Sequence, residues 1–199
     1  YSVQTGLCSF RHLFGEGVFE HLSKHPQQAA VFDAAMSSIH GKETALMADA
    51  YDFGQFQTLC DVGGGNGSTL STILQRNPKL QGVLFDLALV GERARPKVGE
   101  AGVADRCQFV SGDFFQQVNV TANAIMMRHI IHDWDDARWI TILKNCRDAV
   151  GPNGKVLVVE SIVPSGNEPG FVKWLVLTML VIPEGKERTE AEYRELFAA

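Results

Sequence analysis

The chain has 199 residues, of which 45% are apolar and 21% charged, and this balance is typical of one globular domain with a single sizeable core. The net charge of −5 comes without any block of Lys or Arg, which argues against a nucleic-acid partner and favours a small molecule. The longest apolar run, residues 174–182, is far shorter than the roughly 20 residues that span a bilayer, so no membrane partner is expected.

Four cysteines, Cys8, Cys60, Cys107 and Cys146, are scattered without the C-x-x-C spacing of metal or redox sites. Because Cys60 and Cys146 lie within apolar stretches, we expect buried, reduced thiols and a cytoplasmic location. The chain begins at Tyr1 without a basic and apolar leader, so we expect a trimmed or partial protein rather than a secreted one.

The N-terminal quarter of the chain differs in pattern from the rest. Residues 1–52 carry no strand pattern and are predicted to be helical, with Pro26 at the first position of a helix. From residue 57 onward, short β-rich runs alternate with helical patterns, which is typical of βαβ units and a parallel sheet. The predicted strands cover residues 58–62, 82–85, 107–110, 124–127 and 155–160. We therefore expect a helical lead-in over residues 1–52 and an α/β domain over residues 53–199.

The helices between the strands have recognisable ends. The first is predicted to be capped by Ser68 or Thr69 and to end at residues 77–78. The pattern over residues 90–101 is helical, and Pro96 inside it predicts a kink or a late start.

Later in the chain, Asp135 or Asp136 is predicted to cap a helix that ends at residues 151–154. One face of that helix carries Trp139, Ile142, Leu143 and Cys146. An apolar helix follows over residues 171–181, and the capping-box spacing of Thr189 and Glu192 predicts a last helix.

Residues 61–67 read Asp-Val-Gly-Gly-Gly-Asn-Gly directly after an apolar run, which indicates a strand that ends in a glycine-rich turn. Such turns let the backbone approach a ligand closely, and they hold either dinucleotides or S-adenosylmethionine. A dinucleotide fingerprint needs a third glycine where Ser68 stands. The two-step spacing of Asp61, Gly63, Gly65 and Gly67 therefore favours S-adenosylmethionine.

Acidic side chains follow the second and third predicted strands. Asp86 stands about 20 residues after the glycine turn, where a carboxylate binds both hydroxyls of a ribose. Asp113 can accept a hydrogen bond from an adenine amino group while Phe114 packs on the base. The alternatives are a solvated turn aspartate for Asp86 and a loop with two core aromatic rings for residues 112–115.

Two histidines and three aspartates lie within residues 128–136. His132 is predicted where the fourth strand gives way to a loop, and histidine has the pKa of a general base that removes a hydroxyl proton. Two alternatives stay open: a histidine satisfied by local hydrogen bonds, and a metal site built from His129, His132, Asp133 and Asp135.

Together these motifs resemble the plant caffeate-type and bacterial natural-product O-methyltransferases, class I enzymes that use S-adenosylmethionine to methylate phenolic and other hydroxyl groups. The resemblance extends from about residue 10 to residue 199. It rests on residues 32–36, 61–67, 85–87, 112–115, 131–136, Glu160 and 185–189.

The resemblance implies a role for individual residues. It makes His132 the catalytic base, flanked and oriented by Glu160 and Glu187, with no metal required. Phe32 and Met36 match positions that line the pocket of the acceptor, which is expected to be a small hydroxyl compound, aromatic or otherwise apolar. The residues implied in binding S-adenosylmethionine are Gly63, Gly65, Asp86, Leu87, Asp113, Phe114 and Arg128, where the family usually has Lys at the last position.

The same resemblance implies a Rossmann-like class I methyltransferase fold, with a mostly parallel central sheet flanked by helices. The family carries an N-terminal dimerisation domain, so we expect the full-length protein to be a homodimer and residues 1–52 to be the helices that link that domain to the catalytic fold. Because residue 199 falls near the helix that precedes the family's last two strands, we expect five strands here instead of seven.

Three rival functions remain. A relative with this fold can bind S-adenosylmethionine and catalyse decarboxylation, hydroxylation or methylation of nitrogen or carbon, although His132 together with Glu160 and Glu187 argues against it. A non-catalytic binding module is the second rival. The third is a nicotinamide oxidoreductase, which Ser68 disfavours.

Overall fold

The protein is described by a computed structural model that covers residues 1–198, apart from the side chains of residues 40 and 42. The helices are α1 (Ser2–Thr5), α2 (Ser9–Phe14), α3 (Val18–Lys24), α4 (Pro26–Ala50), α5 (Ser68–Arg76), α6 (Ala88–Glu100), α7 (Asp136–Val150), α8 (Phe171–Val181) and α9 (Glu190–Ala198). Short 3₁₀ turns lie at Phe53–Gln55, Ala104–Arg106 and Ile131–Asp133. No helix within the described part of the chain is both long and apolar enough to cross a membrane.

Residues 1–198 contain one sheet of five strands in the order β3-β2-β1-β4-β5. The strands are β1 (Thr58–Val62), β2 (Gln81–Asp86), β3 (Cys107–Ser111), β4 (Ala124–Arg128) and β5 (Lys155–Val159). The β1–β2, β2–β3 and β1–β4 pairs are all parallel. The strand order reverses between β1 and β4, so this is the switch point at which open α/β sheets bind ligands. The predicted Rossmann-like fold is confirmed.

Two compact units make up the described chain. The first, here called the sheet unit, comprises Gln27–Arg128 and Ile142–Val158. The second, the histidine unit, comprises Tyr1–Pro26, His129–Thr141 and the residues from Val159 onward.

The core of the sheet unit follows from apolar strands that are covered on both faces. Leu59 and Cys60 in β1, Phe85 in β2 and Ile125 in β4 are fully buried. Such near-continuous apolar runs are typical of parallel strands between helices. The four cysteines are free, and Cys8, Cys60 and Cys146 are buried, as predicted.

Most predicted element boundaries agree with the structure to within one residue, but one predicted helix cap was wrong, and of the two alternatives predicted for the helix with Pro96 the late start is excluded. Helix α5 is capped by Gly67 in a left-handed conformation, with no side-chain cap from Ser68 or Thr69. The glycine turn itself therefore occupies the cap position. Helix α6 starts at Ala88 and includes Pro96, so the predicted late start does not occur. At the other helices, Asp135 caps α7 and Thr189 forms the predicted capping box with Glu192.

Helix α6 packs closely on β3 because Gly91 has no side chain. A Cβ atom at Gly91 would lie 1.9 Å from the Phe109 ring, so the helix backbone rests almost directly on that ring. Packing at this density leaves no room for a methyl group.

We predict that Gly91→Ala lowers the free energy of unfolding by about 1–3 kcal/mol, because the ring and the helix must move apart. Urea denaturation measures the change. Gly99→Ala on the same helix is the matched control, since nothing lies within 4 Å of its Cβ position and alanine favours helix. Equal stabilities of the two variants would show that Gly91 is not a packing contact.

Candidate active site

The turn after β1 forms a cradle of backbone atoms. Gly63, Gly65 and Gly67 all adopt left-handed conformations, with φ of 70°, 58° and 75°. The amide of Gly63 donates to the Phe85 carbonyl at 2.8 Å, which ties the turn to the end of β2. A Cβ atom at Gly64 would lie 2.3 Å from Leu84 Cδ1, so glycine is required there for space.

Asp61 lies buried beneath this cradle, and its Oδ2 atom has no hydrogen-bond partner within the described residues. Burial raises the pKa of Asp61 to about 7, against the opposing charge of Arg128. A buried acceptor without a partner costs free energy unless a ligand satisfies it. The cradle and this carboxyl group therefore fit a ligand that brings hydrogen-bond donors.

Asp86 closes the cradle from the end of β2. Its Oδ2 accepts from the Gly65 amide at 2.9 Å, and its Oδ1 accepts from the Leu87 amide at 2.7 Å. Burial raises the pKa of Asp86, while these two amides lower it. Each carboxylate oxygen retains a further lone pair, so the fixed carboxylate can still accept from two neighbouring hydroxyl groups.

Asp113 and Phe114 follow β3 in a loop that is bonded within itself. Asp113 accepts from the Phe115 amide at 2.9 Å and from the Gln116 side chain at 3.2 Å. Asn145 donates to the Phe114 carbonyl at 2.8 Å, and the two phenylalanine rings meet edge to face. These contacts give the loop a fixed shape, and the adenine contacts stay a prediction.

Arg128 ends β4 and joins two helices of the sheet unit. Its guanidinium donates to Thr44 Oγ1 in α4 at 2.6 Å and to Thr69 Oγ1 in α5 at 3.0 Å. The side chain is only 6% exposed, and its bonds within the protein indicate a clamp between α4 and α5. Its predicted contact with the cofactor stays a prediction.

Helix α4 runs beside the glycine turn. Asn66 in the turn donates to Ser37 Oγ at 2.7 Å, and Arg93 in α6 bonds Asp33 at 2.9 Å. Phe32 and Met36 are half-buried in the same part of α4. The structure thus brings the predicted acceptor-pocket residues and the glycine turn into one region of the sheet unit.

His132 lies in the 3₁₀ turn after β4 and is buried in the histidine unit. Its Nδ1 lies 2.8 Å from Glu187 Oε1. A carboxylate only accepts hydrogen bonds, so Nδ1 carries a proton, and in the neutral imidazole Nε2 is the nitrogen with the lone pair. Asp133 Oδ1 is 3.6 Å from Nε2.

Glu160 has a different role from Glu187. Its Oε1 accepts from the amides of Ile130 and Ile131, both at 3.0 Å, so it fixes the backbone that carries His132. Its Oε2 lies 3.6 Å from His132 Nδ1, beyond hydrogen-bond distance. The structure therefore brings both predicted glutamates close to His132. Glu187 bonds the imidazole ring, and Glu160 bonds the backbone of the turn.

The surrounding carboxylates change the acidity of the imidazole. Burial lowers the pKa of His132, but the hydrogen bond with Glu187 and the charges of Asp133, Glu160 and Glu187 raise it by more, to about 9. Burial also raises the pKa of Asp133 to about 7, against the charge of His132. His132 thus becomes a strong base that is free to accept a proton only in alkaline solution.

The four residues of the alternative metal site do not assemble as a set. Asp135 caps α7 by accepting from the Arg138 amide at 2.8 Å, and its side chain is 57% exposed. Donor atoms of His129 and His132 instead lie within 4.8 Å of one from Glu160. His129 has a left-handed backbone with φ of 53°, a conformation that costs a non-glycine residue free energy.

Sequence reasoning assigned no role to Arg188, the residue after Glu187. Its side chain is fully buried. It donates to the carbonyls of Ile131, Lys186 and Trp134 at 3.2, 3.1 and 2.9 Å, and to Asp136 Oδ1 at 2.7 Å. Arg188 therefore holds the turn of His132 against the segment that supplies Glu187. The only signal in the sequence is its place in Gly-Lys-Glu-Arg-Thr.

Residues 2–199 match the model of a protein family described as the O-methyltransferase domain. The chain belongs to this O-methyltransferase domain family. Among curated relatives, the phenazine O-methyltransferase PhzM of Lysobacter antibioticus is 44% identical over 199 residues, which are 100% of this chain and 58% of the relative. The aclacinomycin 10-hydroxylase RdmB of Streptomyces purpurascens is 37% identical over 98% of this chain and 52% of its own length.

A solved structure of an O-methyltransferase has the same fold as this chain. NcsB1, an O-methyltransferase from neocarzinostatin biosynthesis, was solved with S-adenosyl-L-homocysteine and 1,4-dihydroxy-2-naphthoic acid. It superposes with a TM-score of 0.91 and 32% identity, over 99% of this chain and 59% of that one. The chain spans little more than half the length of these relatives.

We predict that Arg188→Met lowers the free energy of unfolding by on the order of 3 kcal/mol, because three carbonyls and the Asp136 carboxylate lose a buried, charged donor. Chemical denaturation measures the loss. Arg194→Met in α9 is the control, since Arg194 is 77% exposed and pairs only with Glu190 among the contacts described. A comparable loss of stability in both variants would contradict the role of Arg188 in holding the turn of His132.

Proposed function

We propose that this chain is the catalytic part of an S-adenosylmethionine-dependent O-methyltransferase that acts on a hydroxyl group of a small aromatic, natural-product-like acceptor. The observation that carries the proposal is the buried His132, whose Nδ1 is held at 2.8 Å by Glu187, which leaves Nε2 as the nitrogen that exchanges a proton. An imidazole oriented by a carboxylate is the arrangement of a general base.

Cofactor binding is assigned to the sheet unit. The turn of Gly63 and Gly65 and the carboxylate of Asp86, which the amides of Gly65 and Leu87 hold in place, form the cradle. Asp113, Phe114 and Arg128 complete the proposed set. When bound, S-adenosylmethionine supplies a methyl group that its sulfonium charge already activates. The protein is therefore needed mainly for alignment and for removal of the acceptor proton.

Proton removal is assigned to His132. Nε2 takes the proton of the acceptor hydroxyl, and the carboxylate of Glu187 stabilises the imidazolium that forms. Glu160 keeps the turn in place through its bonds to two backbone amides. General-base catalysis of this kind contributes about 10²–10⁴-fold to a rate. Phe32 and Met36 are the proposed apolar contacts of the acceptor.

The relatives support an aromatic acceptor, and one of them supports the rival function of hydroxylation. The named substrates of PhzM and NcsB1 are aromatic ring systems. RdmB, by contrast, is a 10-hydroxylase at 37% identity, so the same domain supports a different reaction. His132 with its two glutamates favours methylation here, because a base is what hydroxyl methylation needs.

Further parts of the proposal concern the whole protein. We propose a homodimer for the longer chain, a cytoplasmic location, and a division at residues 52 and 53 between linking helices and the cofactor-binding domain. Free cysteines agree with a reducing compartment.

The direct test is mass spectrometry of phenols and polyketides incubated with the full-length protein and S-adenosylmethionine labelled in its methyl group. We expect labelled methyl ethers and one S-adenosylhomocysteine for each. Acceptors that gain oxygen without label would replace the proposal with a hydroxylase.

We predict that substitution of His132 lowers kcat, whereas substitution of Asp86 lowers the affinity for the cofactor. His132→Ala should lower kcat by about 10²–10⁴-fold and leave the affinity for S-adenosylmethionine nearly unchanged. Asp86→Ala should weaken cofactor binding roughly 10-fold or more, because a charged hydrogen-bond partner is lost.

Calorimetric titration and steady-state kinetics separate the two variants, and NAD serves as the control ligand. Binding of NAD in preference to S-adenosylmethionine would remove the methyltransferase proposal, and unchanged turnover in His132→Ala would place the base elsewhere.

We predict that kcat/KM rises with pH through about 9, because His132 must lose its proton before it can act and its pKa is raised to about 9. Glu187→Gln should move this rise to lower pH, since the carboxylate that stabilises the imidazolium is gone. The measurement is the pH profile of labelled methyl transfer. Glu195→Gln, at an exposed position in α9, is the control, and an unmoved profile in Glu187→Gln would contradict the assignment.

A further inference from the structure

A second group of metal-ligating side chains lies in the N-terminal helices of the histidine unit. Glu16 stands in the turn between α2 and α3, His21 lies in α3, and His25 is the residue that ends α3. None of the three has a role in the proposed methyl transfer. One ligand atom from each lies within 4.8 Å of those from the other two.

The two histidines have the spacing of a helix chelate. His21 lies in α3, and His25, four residues later, is the C-cap residue of that helix, with non-helical backbone angles of φ −126° and ψ 76°. Their rings stack with centroids 3.9 Å apart and planes 20° from parallel. Stacking brings the two rings side by side, so one nitrogen of each lies close to the Glu16 carboxylate.

Hydrogen bonds fix which nitrogen each ring can offer. His25 Nδ1 lies 2.7 Å from the His21 carbonyl, which only accepts, so Nδ1 carries the proton and Nε2 keeps its lone pair. Histidine ligands commonly have this bond from the other ring nitrogen to a backbone carbonyl. His21 Nδ1 lies 2.9 Å from Glu16 Oε1, so in the metal-free protein Nδ1 carries a proton that it donates to the carboxylate, and an ion bound at this nitrogen takes the place of that proton.

The protein partly shields this group from solvent. The side chains of His21 and Glu16 are 12% and 17% exposed. Rings of Phe10 and Phe14 lie 5.5 and 5.1 Å from that of His21. An apolar wall beside a carboxylate and two imidazoles strengthens the attraction of a cation to them.

Lys24 is a nearby group that opposes a cation. Its Nζ bonds Glu16 Oε2 and lies 2.8 Å from Glu20 Oε1. The ammonium repels a metal ion and competes for the Glu16 carboxylate. Its removal should therefore tighten metal binding, whereas removal of a ligand should weaken it.

We propose that Glu16, His21 and His25 bind one divalent transition-metal ion of the zinc type. Two imidazoles and one carboxylate suit zinc, nickel or copper and disfavour magnesium and calcium, which prefer oxygen ligands. A three-ligand site leaves one position for water. The bound ion connects the α2–α3 turn to the end of α3 and stabilises the folded chain by mass action.

The test is calorimetric titration of the chelator-treated protein with Zn²⁺, followed by Co²⁺ and its visible absorption as a report on coordination. We expect one ion per chain and a raised melting temperature. His25→Ala and Glu16→Gln should each weaken binding at least 10-fold, on the scale at which altered metal ligation acts. Lys24→Gln should instead raise the affinity for Zn²⁺. Loss of affinity in His25→Ala together with a gain in Lys24→Gln is not expected if His25 only supports the fold.

Two controls locate the site. His12→Ala removes a histidine that stacks on Tyr1 and should leave binding unchanged. His132→Ala should also leave it unchanged, which separates this site from the group around Glu160. Absence of zinc binding by the wild type, or binding that is lost in His132→Ala and kept in His25→Ala, overturns the proposal. Circular dichroism confirms that each variant is folded.

Discussion

The turn that carries His132 depends on hydrogen bonds from side chains distant in sequence. Its amides donate to Glu160, which lies about 30 residues further along the chain, and its carbonyls accept from Arg188. A short 3₁₀ turn has little stability of its own. The position of the imidazole is therefore set by a carboxylate on one side and a guanidinium on the other, and both are buried.

In the sheet unit, backbone atoms position the glycine turn and Asp86. Parallel strands bring their carboxyl ends to one edge, and the strand order reverses between β1 and β4. The glycine turn and Asp86 meet at this edge because Gly65 bonds directly to the carboxylate. A carboxylate that a backbone amide holds in place needs no reorientation when a ligand arrives, and this preorganisation favours binding.

Features that depend on residues close together in sequence could be predicted, whereas contacts between distant residues could not. Strands β1 to β5 and the cap at Asp135 were predictable, because each depends on neighbouring residues. The cap at Ser68 was wrong because the left-handed Gly67 takes its place. Arg188 had no recognisable role, since its partners at 131, 134 and 136 come together only in the fold. His132, Glu160 and Glu187 were connected by family resemblance, and their distances became known only from the structure.

The raised pKa of His132 also links its proposed role as a base to the stability of the fold. Its folded-state pKa of about 9 lies above the ordinary histidine value near 6.5, so the folded chain holds the proton more tightly than the unfolded chain. This contribution to stability is complete below about pH 6.5 and disappears as the pH rises through about 9. The alkaline conditions that free the imidazole to act as a base are thus those in which it no longer helps to hold its surroundings together. Conditions for fastest turnover and for longest survival of the enzyme should therefore lie at different pH.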